Sequence, residues 1–205
     1  MIVLGLTGSV GMGKSTAAAM LRRLGIAVHD SDGAVHRLLA PKGAAVAAVA
    51  AAFPGVRRKA GGIDRAALGA RVFADPAELR RLERILHALV RLSQQRFLAR
   101  ARARRLNLVV LDIPLLFEAG GAARCDKIVV VSAPAFLQRA RVLARPGMTE
   151  ERLRAILAKQ MPDAEKRRRA DYIVPSGLGR AVTFRRLKRI LRELTSAEPC
   201  LRESG

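Results

Sequence analysis

The chain of 205 residues has no tryptophan, one tyrosine and six phenylalanines. So few flat rings leave little with which to stack unpaired bases, which counts against a single-strand nucleic-acid reader. Cysteine is almost as scarce. Cys125 and Cys200 are too few and too poorly placed for a disulfide framework or a zinc site, a usage that fits a reducing cytoplasm. Long apolar runs are missing too. Nothing approaches the eighteen or so residues of a membrane span, and the apolar N-terminal stretch lacks a basic leader, so neither a membrane partner nor a signal peptide is expected. The last shortage is of negative charge: 17 acidic residues face 38 basic ones, for a net charge of +21. Such a surplus suits a nucleic acid, a membrane surface or a polyanionic small molecule. Its make-up, 31 Arg to 7 Lys in an alanine-rich chain, resembles the output of a GC-rich coding sequence. Charge spread over solvated helix faces by that bias implies no specific nucleic-acid partner.

What the chain does contain starts at residue 5, with GLTGSVGMGKST. Gly8, Ser9, Val10, Gly11, Met12, Gly13, Lys14 and Ser15 fit the phosphate-loop pattern G-x-x-x-x-G-K-[ST] at every fixed position. The context agrees. MIVLGL is an aliphatic run that reads as a buried strand entering the loop, and KSTAAAMLRRL has apolar residues at helical spacing with Gly25 as its stop. Backbone amides converge on an anion where a strand, a glycine loop and a helix N-terminus meet. Lys14 is expected at the β- and γ-phosphates of a nucleotide, and the Ser15 hydroxyl on Mg²⁺.

Strands and helices then alternate. IAVHD (26–30) is a second strand, LNLVVLDIP (106–114) a third, KIVVVSA (127–133) a fourth and YIV (172–174) a fifth. Residues 34–105 read as almost wholly helical, with PGVRRKAGGID as a surface loop. Val46, Val49 and Phe53 share one face of the alanine-rich run. Asp75-Pro76-Ala77-Glu78 combines an N-cap, a first-position proline and a capping-box glutamate. The helix it opens carries the stripe Leu79, Leu82, Leu86, Leu89 and Ser93, and is expected to reach about residue 104. Helices at 134–144 and 150–160 and an amphipathic helix RAVTFRRLKRILREL close the fold, with a loose tail from Ser196. This alternation implies an α/β fold, a parallel five-stranded sheet covered by helices on both faces. Two helical excursions leave that single domain, at about 33–105 and about 140–169.

Acidic residues follow two of the strands. Asp30 and Asp32 lie just past the second, where open parallel sheets bind ligands. Either could take the proton of an attacking hydroxyl, and either could cap the turn, since DSDG is also good turn chemistry. Asp112 ends the third strand, the place of a carboxylate that holds Mg²⁺ directly or through water. The apolar loop after it, Pro114 to Glu118, suits the wall of a pocket. His87 sits mid-helix, where a lone histidine is more often packing or surface than catalytic. The segment from Arg139 to Arg169 is rich in arginine and reads as a mobile basic flap over the leaving phosphates.

Taken in order, GLTGSVGMGKST, VHDSDGAVHRLL, LERILHALV, DIPLLFE and Q-x-x-x-x-x-K-x-x-x-AD resemble the dephospho-coenzyme A kinase family over residues 1 to about 195. The resemblance implies a P-loop kinase with ATP and Mg²⁺ as cofactors and the ribose 3′-hydroxyl of dephospho-CoA as acceptor. It implies that Gly8 through Thr16 bind ATP with Arg139, that Lys14 and Arg145 serve catalysis, and that Ser15 and Asp112 serve the metal. Asp32 becomes the catalytic base, and Arg65, His87, Leu115 and Leu116 join it on the acceptor side. The excursion at 33–105 becomes the acceptor-binding insertion, and 140–169 the lid. A cytoplasmic monomer or weak homo-oligomer is expected. Two departures stand out: Ala88 where the family has a proline after the histidine, and Val174-Pro175-Ser176-Gly177 where many members have an asparagine-containing turn. The second leaves open which groups bracket the adenine.

Three other readings compete. A nucleoside monophosphate kinase has a phosphate as acceptor and would leave Asp32 idle. A nucleic-acid-binding NTPase would account for the charge, but its further motifs and stacking aromatics are absent. A GTPase switch would need an N-K-x-D motif, which the chain lacks.

Overall fold

Aliphatic runs with few polar interruptions become strands buried on both faces. In the computed structural model, which describes residues 1–73 and 75–196, these are β1 (Ile2–Thr7), β2 (Ala27–Asp30), β3 (Leu108–Asp112), β4 (Lys127–Ser132) and β5 (Tyr172–Pro175). They form one five-stranded parallel sheet in the order β2-β3-β1-β4-β5. The register of β1 on β3 sets Leu6 beside Asp112. The tail beyond Ser196, expected to be loose, and Cys200 within it lie outside the described residues.

The chain divides into two compact units, one of residues 1–29 with 101 onward, the other of residues 30–100. The first holds the sheet with α1 (Lys14–Arg23) and, after the insertion, the later helices. On one sheet face Leu4, Leu6, Leu108, Val110, Val129 and Val131 pack with Ala17, Met20 and Leu21 of α1. Leu187, Ile190, Leu191 and Leu194, from the C-terminal helix Arg180–Ser196, complete that cluster. Residues of the opposite parity, Val3, Val109, Leu111 and Val130, are buried on the other face. Each fully buried leucine or valine contributes about 1.5–3 kcal/mol over an exposed one, so the sheet with its two covering helices is a core in its own right.

In the second unit lie α2 (Ser31–Leu39), α3 (Val46–Ala52), α4 (Arg65–Phe73) and most of α5 (Pro76–Ala103). Val46, Val49 and Phe53, the shared face expected of the alanine-rich run, are buried with Leu39, Val56, Ile63, Leu68, Val72 and Leu82. The Arg81 guanidinium stands 5.7 Å above the Phe53 ring, a cation–π contact. Asp75 caps α5 as expected, its Oδ1 accepting from Ala77 N at 2.7 Å. The stretch expected as a plain surface loop, 54–64, is only partly so. Val56 and Ile63 are planted in the core, and Arg57 bridges Ile63 in antiparallel fashion. Two apolar residues seven apart in a Gly- and Arg-rich segment make no periodicity, so the pattern was invisible.

Back in the first unit, α6 (Ala135–Leu143), α7 (Glu150–Ala158) and α8 (Asp163–Arg168) lead to β5, and α9 (Arg180–Ser196) follows it. Thr149 caps α7 by accepting from Arg152 N.

Candidate active site

β1 gives way to a loop at Gly8, where a Cβ would lie 2.6 Å from the Val131 carbonyl oxygen. Only glycine lets the chain pass β4 so closely. Gly13, at φ 89°, takes the left-handed conformation that turns the loop into α1. The first amides of α1 have no partner within the helix, and no acidic residue occupies its first turn. Those amides and the helix dipole thus favour an anion. Ser15 and Thr16 are exposed in this turn.

Lys14 Nζ donates to Asp112 Oδ1 at 2.7 Å, with side-chain exposures of 13% and 5%. The pair joins the start of α1, which follows β1, to the end of β3. Strands β1 and β3 are the neighbours at which the connections reverse direction across the sheet, where open α/β folds bind ligands. Phosphate loop and strand-end carboxylate, 98 residues apart in sequence, are brought together.

The loop is held from outside by contacts that sequence reasoning did not foresee, although Gln160 opens the Q-x-x-x-x-x-K-x-x-x-AD motif and Ser176 lies in the departing turn. Gln138 Nε2 donates to the Val10 carbonyl at 2.8 Å, and Gln160 Oε1 accepts from the Val10 amide at 3.1 Å. Ser176 Oγ donates to the Met12 carbonyl at 2.6 Å. Arg141 donates from Nη1 to Ser176 Oγ at 3.0 Å and from Nη2 to the Ser176 carbonyl at 2.8 Å. The departure at Val174-Pro175-Ser176-Gly177 therefore sits against the phosphate loop. Helical spacing offered a signal for Arg141, because Gln138, Arg141 and Val142 share one face of α6. Arg139 points elsewhere, is 62% exposed and forms an ion pair with Glu150. Arg145 is exposed and has no side-chain partner among the described residues.

After β3 the two leucines of the apolar loop part company. Leu116, expected on the acceptor side with Leu115, is fully buried, whereas Leu115 is 42% exposed. Glu118 pairs with the fully buried Lys166 at 2.9 Å and accepts from Met161 N at 2.8 Å. Burial pushes the Glu118 carboxyl up, but the Lys166 ammonium and the Met161 amide outweigh it and hold the group below its ordinary value. Burial likewise pushes the Cys125 thiol up, to about 11, so it is a neutral, unreactive thiol at physiological pH.

In the second unit the DSDG turn resolves into two roles. Asp30 is the N-cap of α2, accepting from Gly33 N at 2.9 Å. Asp32, in the first turn, is exposed and has no partner among the described residues. Between them Ser31 is buried and accepts from Gln94 Nε2 of α5 at 3.1 Å. Arg65 Nη1 lies 3.4 Å from His36 Nδ1, a histidine to which the sequence drew no attention. His87 is exposed on α5.

A parallel sheet in this order, with a phosphate loop at its reversal point and a lysine–aspartate pair across it, defines the P-loop kinase class. Residues 2–178 match the family described as CoaE: Dephospho-CoA kinase. The dephospho-CoA kinase of Paramagnetospirillum magneticum is 69% identical across 82% of this chain and 78% of its own. That of Mesorhizobium japonicum is 59% identical across 95% of this chain and 97% of its own. Among solved structures, TT1252 from Thermus thermophilus superposes with a TM-score of 0.81 at 38% identity, covering 94% of this chain and 97% of that one. The chain belongs to the dephospho-CoA kinase family.

Proposed function

We propose that the protein transfers the γ-phosphoryl group of ATP to the ribose 3′-hydroxyl of dephospho-CoA, the last step of coenzyme A synthesis. Family membership identifies the acceptor. The observation that carries the chemistry is the phosphate loop with Lys14 beside Asp112. Gly8 through Thr16 wrap the triphosphate, and Lys14 leaves Asp112 to bridge the β- and γ-phosphates. The donor set suits Mg²⁺, with the Ser15 hydroxyl and the Asp112 carboxylate as hard oxygen ligands beside phosphate oxygens. When bound, Mg²⁺ would neutralise charge that develops on the phosphates.

Asp32 takes the proton of the 3′-hydroxyl as its oxygen bonds to the γ-phosphorus, while the bond to the β–γ bridging oxygen breaks and ADP leaves. Its open carboxylate, beside a neighbour already committed to capping, supports this role. Arg65, His87 and Leu115 form acceptor contacts in the insertion. Arg139 and Arg145 bring lid charge to ATP, Arg145 to the transferring group. We place the enzyme in the cytoplasm, as a monomer or weak homo-oligomer without a specific nucleic-acid partner.

Coupled ADP release with dephospho-CoA, AMP and single-stranded DNA tests the reading. Turnover should need dephospho-CoA. Preference for AMP would make the enzyme a monophosphate kinase, and DNA-stimulated ATPase activity a nucleic-acid motor.

A further inference from the structure

Val10, near the apex of the phosphate loop, has both of its backbone polar groups taken by side chains from the segment around the basic flap. Gln138 of α6 donates to its carbonyl at 2.8 Å, and Gln160, just past α7, accepts from its amide at 3.1 Å. These contacts span 128 and 150 residues of sequence, and together they hold one peptide position from both ends of the hairpin formed by α6 and α7. Gln138 is itself buried, at 7% exposure. A polar side chain left out of water and aimed at a single backbone carbonyl is costly unless that bond is kept.

Gln160 belongs to a tightly anchored stretch. The next residue, Met161, donates its amide to Glu118, and Ser132 Oγ donates to Asp163 at 2.6 Å. The fully buried Lys166 completes the attachment through Glu118. The return strand of the flap is thus fastened to the ends of the sheet, and its amide side chain reaches the loop from a fixed base.

We propose that Gln138 and Gln160 are positioning residues for ATP. They act through Val10, holding the phosphate loop in the shape its amides need before nucleotide arrives. This rests on the reading of Gly8 through Thr16 as the ATP site. Without either bond the loop samples other shapes, and the apparent ATP affinity drops by the competent fraction. The acceptor should bind as before.

The polarity of the two contacts supplies the test. Val10 N–H can only donate and its C=O can only accept, so Gln160 must present oxygen and Gln138 nitrogen. Glutamate keeps the acceptor at 160 but destroys the donor at 138. The two glutamates would add the same charge next to the same residue, and because position 138 is the more buried of the two, each is read against the uncharged methionine at its own position. ATP binding is titrated at pH 8 and at pH 5 for the parent, Gln138→Glu, Gln160→Glu and the isosteric Gln138→Met and Gln160→Met, with initial rates giving KM for both substrates. At pH 8 Gln138→Glu should bind ATP about three- to tenfold more weakly than Gln160→Glu, the size expected of one hydrogen bond. Toward pH 5 the gap should narrow, because burial at position 138 and the facing carbonyl oxygen favour the protonated carboxyl, which can again donate. Both methionine variants should raise the KM for ATP by a similar factor and leave that for dephospho-CoA unchanged.

Equal losses in the two glutamate variants, or a gap that ignores pH, would overturn the proposal. So would parallel rises in both KM values. Lys14→Ala separates this failure from that of the site: if it retains ATP affinity, the ATP site itself is misassigned. If it loses affinity while the glutamine variants match the parent, only the positioning role falls. Should Gln138→Glu not fold, Gln138→Met takes its place at pH 8: it loses the donor without adding charge, so an ATP affinity weaker than that of Gln160→Glu is due to the hydrogen bond and not to charge.

Discussion

Lys14 Nζ and Asp112 Oδ1 are joined at 2.7 Å. A mostly buried ammonium and a buried carboxylate, 13% and 5% exposed, neutralise each other beside the phosphate loop. Lys14, at the start of α1, thus reaches the end of β3. Lys14→Ala should abolish transfer, because the β/γ-phosphates lose their cation. It should also lower the melting temperature of the nucleotide-free protein, since the Asp112 carboxylate, 5% exposed, loses its ammonium. Asp112→Asn should leave ATP bound but raise the Mg²⁺ concentration needed for half-maximal rate. Steady-state rates across a Mg²⁺ series check both. A Lys14→Ala enzyme with undiminished turnover would remove the loop from the mechanism.

A different balance governs Asp30 and Asp32. The Asp30 side chain is spent on Gly33 N, so Asp30→Ala should cost about 0.5–2 kcal/mol of stability through the lost cap, with a modest effect on rate. Asp32→Asn keeps size and most hydrogen bonding but cannot take a proton. A ribose hydroxyl is a poor nucleophile near neutral pH, so kcat should fall by about 10²- to 10⁴-fold with little change in ATP affinity. Denaturation curves and single-turnover rates on both variants separate the roles. An Asp32→Asn enzyme within a few-fold of the parent would place the base elsewhere.

These two aspartates mark how far the sequence was legible. Strands, the phosphate loop and the Asp75 cap are written in residues close together, where spacing and turn chemistry are enough. DSDG offered two equivalent readings, because an Asx cap and a catalytic carboxylate use the same side chain, and only the bond to Gly33 N assigns one of them. Leu115 and Leu116 are identical as letters in an apolar loop, yet one is 42% exposed and the other fully buried. What Gln138, Gln160 and Ser176 hold could not be read locally, although Gln160 opens a motif and Ser176 lies in the departing turn. Their partners are loop backbone groups more than 120 residues away, and a backbone acceptor leaves no trace in composition.

The Glu118–Lys166 pair makes the acid limb of stability predictable. The net pull on Glu118 lowers its folded-state value, so its contribution is present above the unfolded value near 4.5 and is lost as pH falls through the folded one. Parent and Glu118→Gln should therefore differ in melting temperature at pH 7 and converge toward pH 3. Lys166→Met should cost about 2 kcal/mol, below the usual penalty for breaking a buried pair, because the carboxylate keeps the Met161 amide and some water. A constant difference between parent and Glu118→Gln across that range would show the pair to be electrostatically idle.

The flap arginines separate by what already holds them. Arg139 is paired with Glu150, Arg141 is spent on Ser176, and Arg145 has no side-chain partner among the described residues. An arginine that is to meet charge developing in the transition state gains most if it leaves no other partner behind. Arg145→Ala should accordingly lower kcat by about 10²-fold and raise the KM for ATP much less. Arg139→Ala should reverse that pattern. Its charge is exposed and shared with Glu150, so KM for ATP should rise about two- to threefold with kcat nearly intact, in keeping with the small worth of exposed pairs. Arg141→Ala should raise the KM for ATP as well, and also loosen the turn at Ser176, which protease sensitivity around residue 176 would report. Initial rates over a grid of both substrates distinguish the three. If Arg139→Ala loses kcat as heavily as Arg145→Ala, the Glu150 pair must open when ATP binds, and both guanidinium groups then reach the transferring phosphoryl.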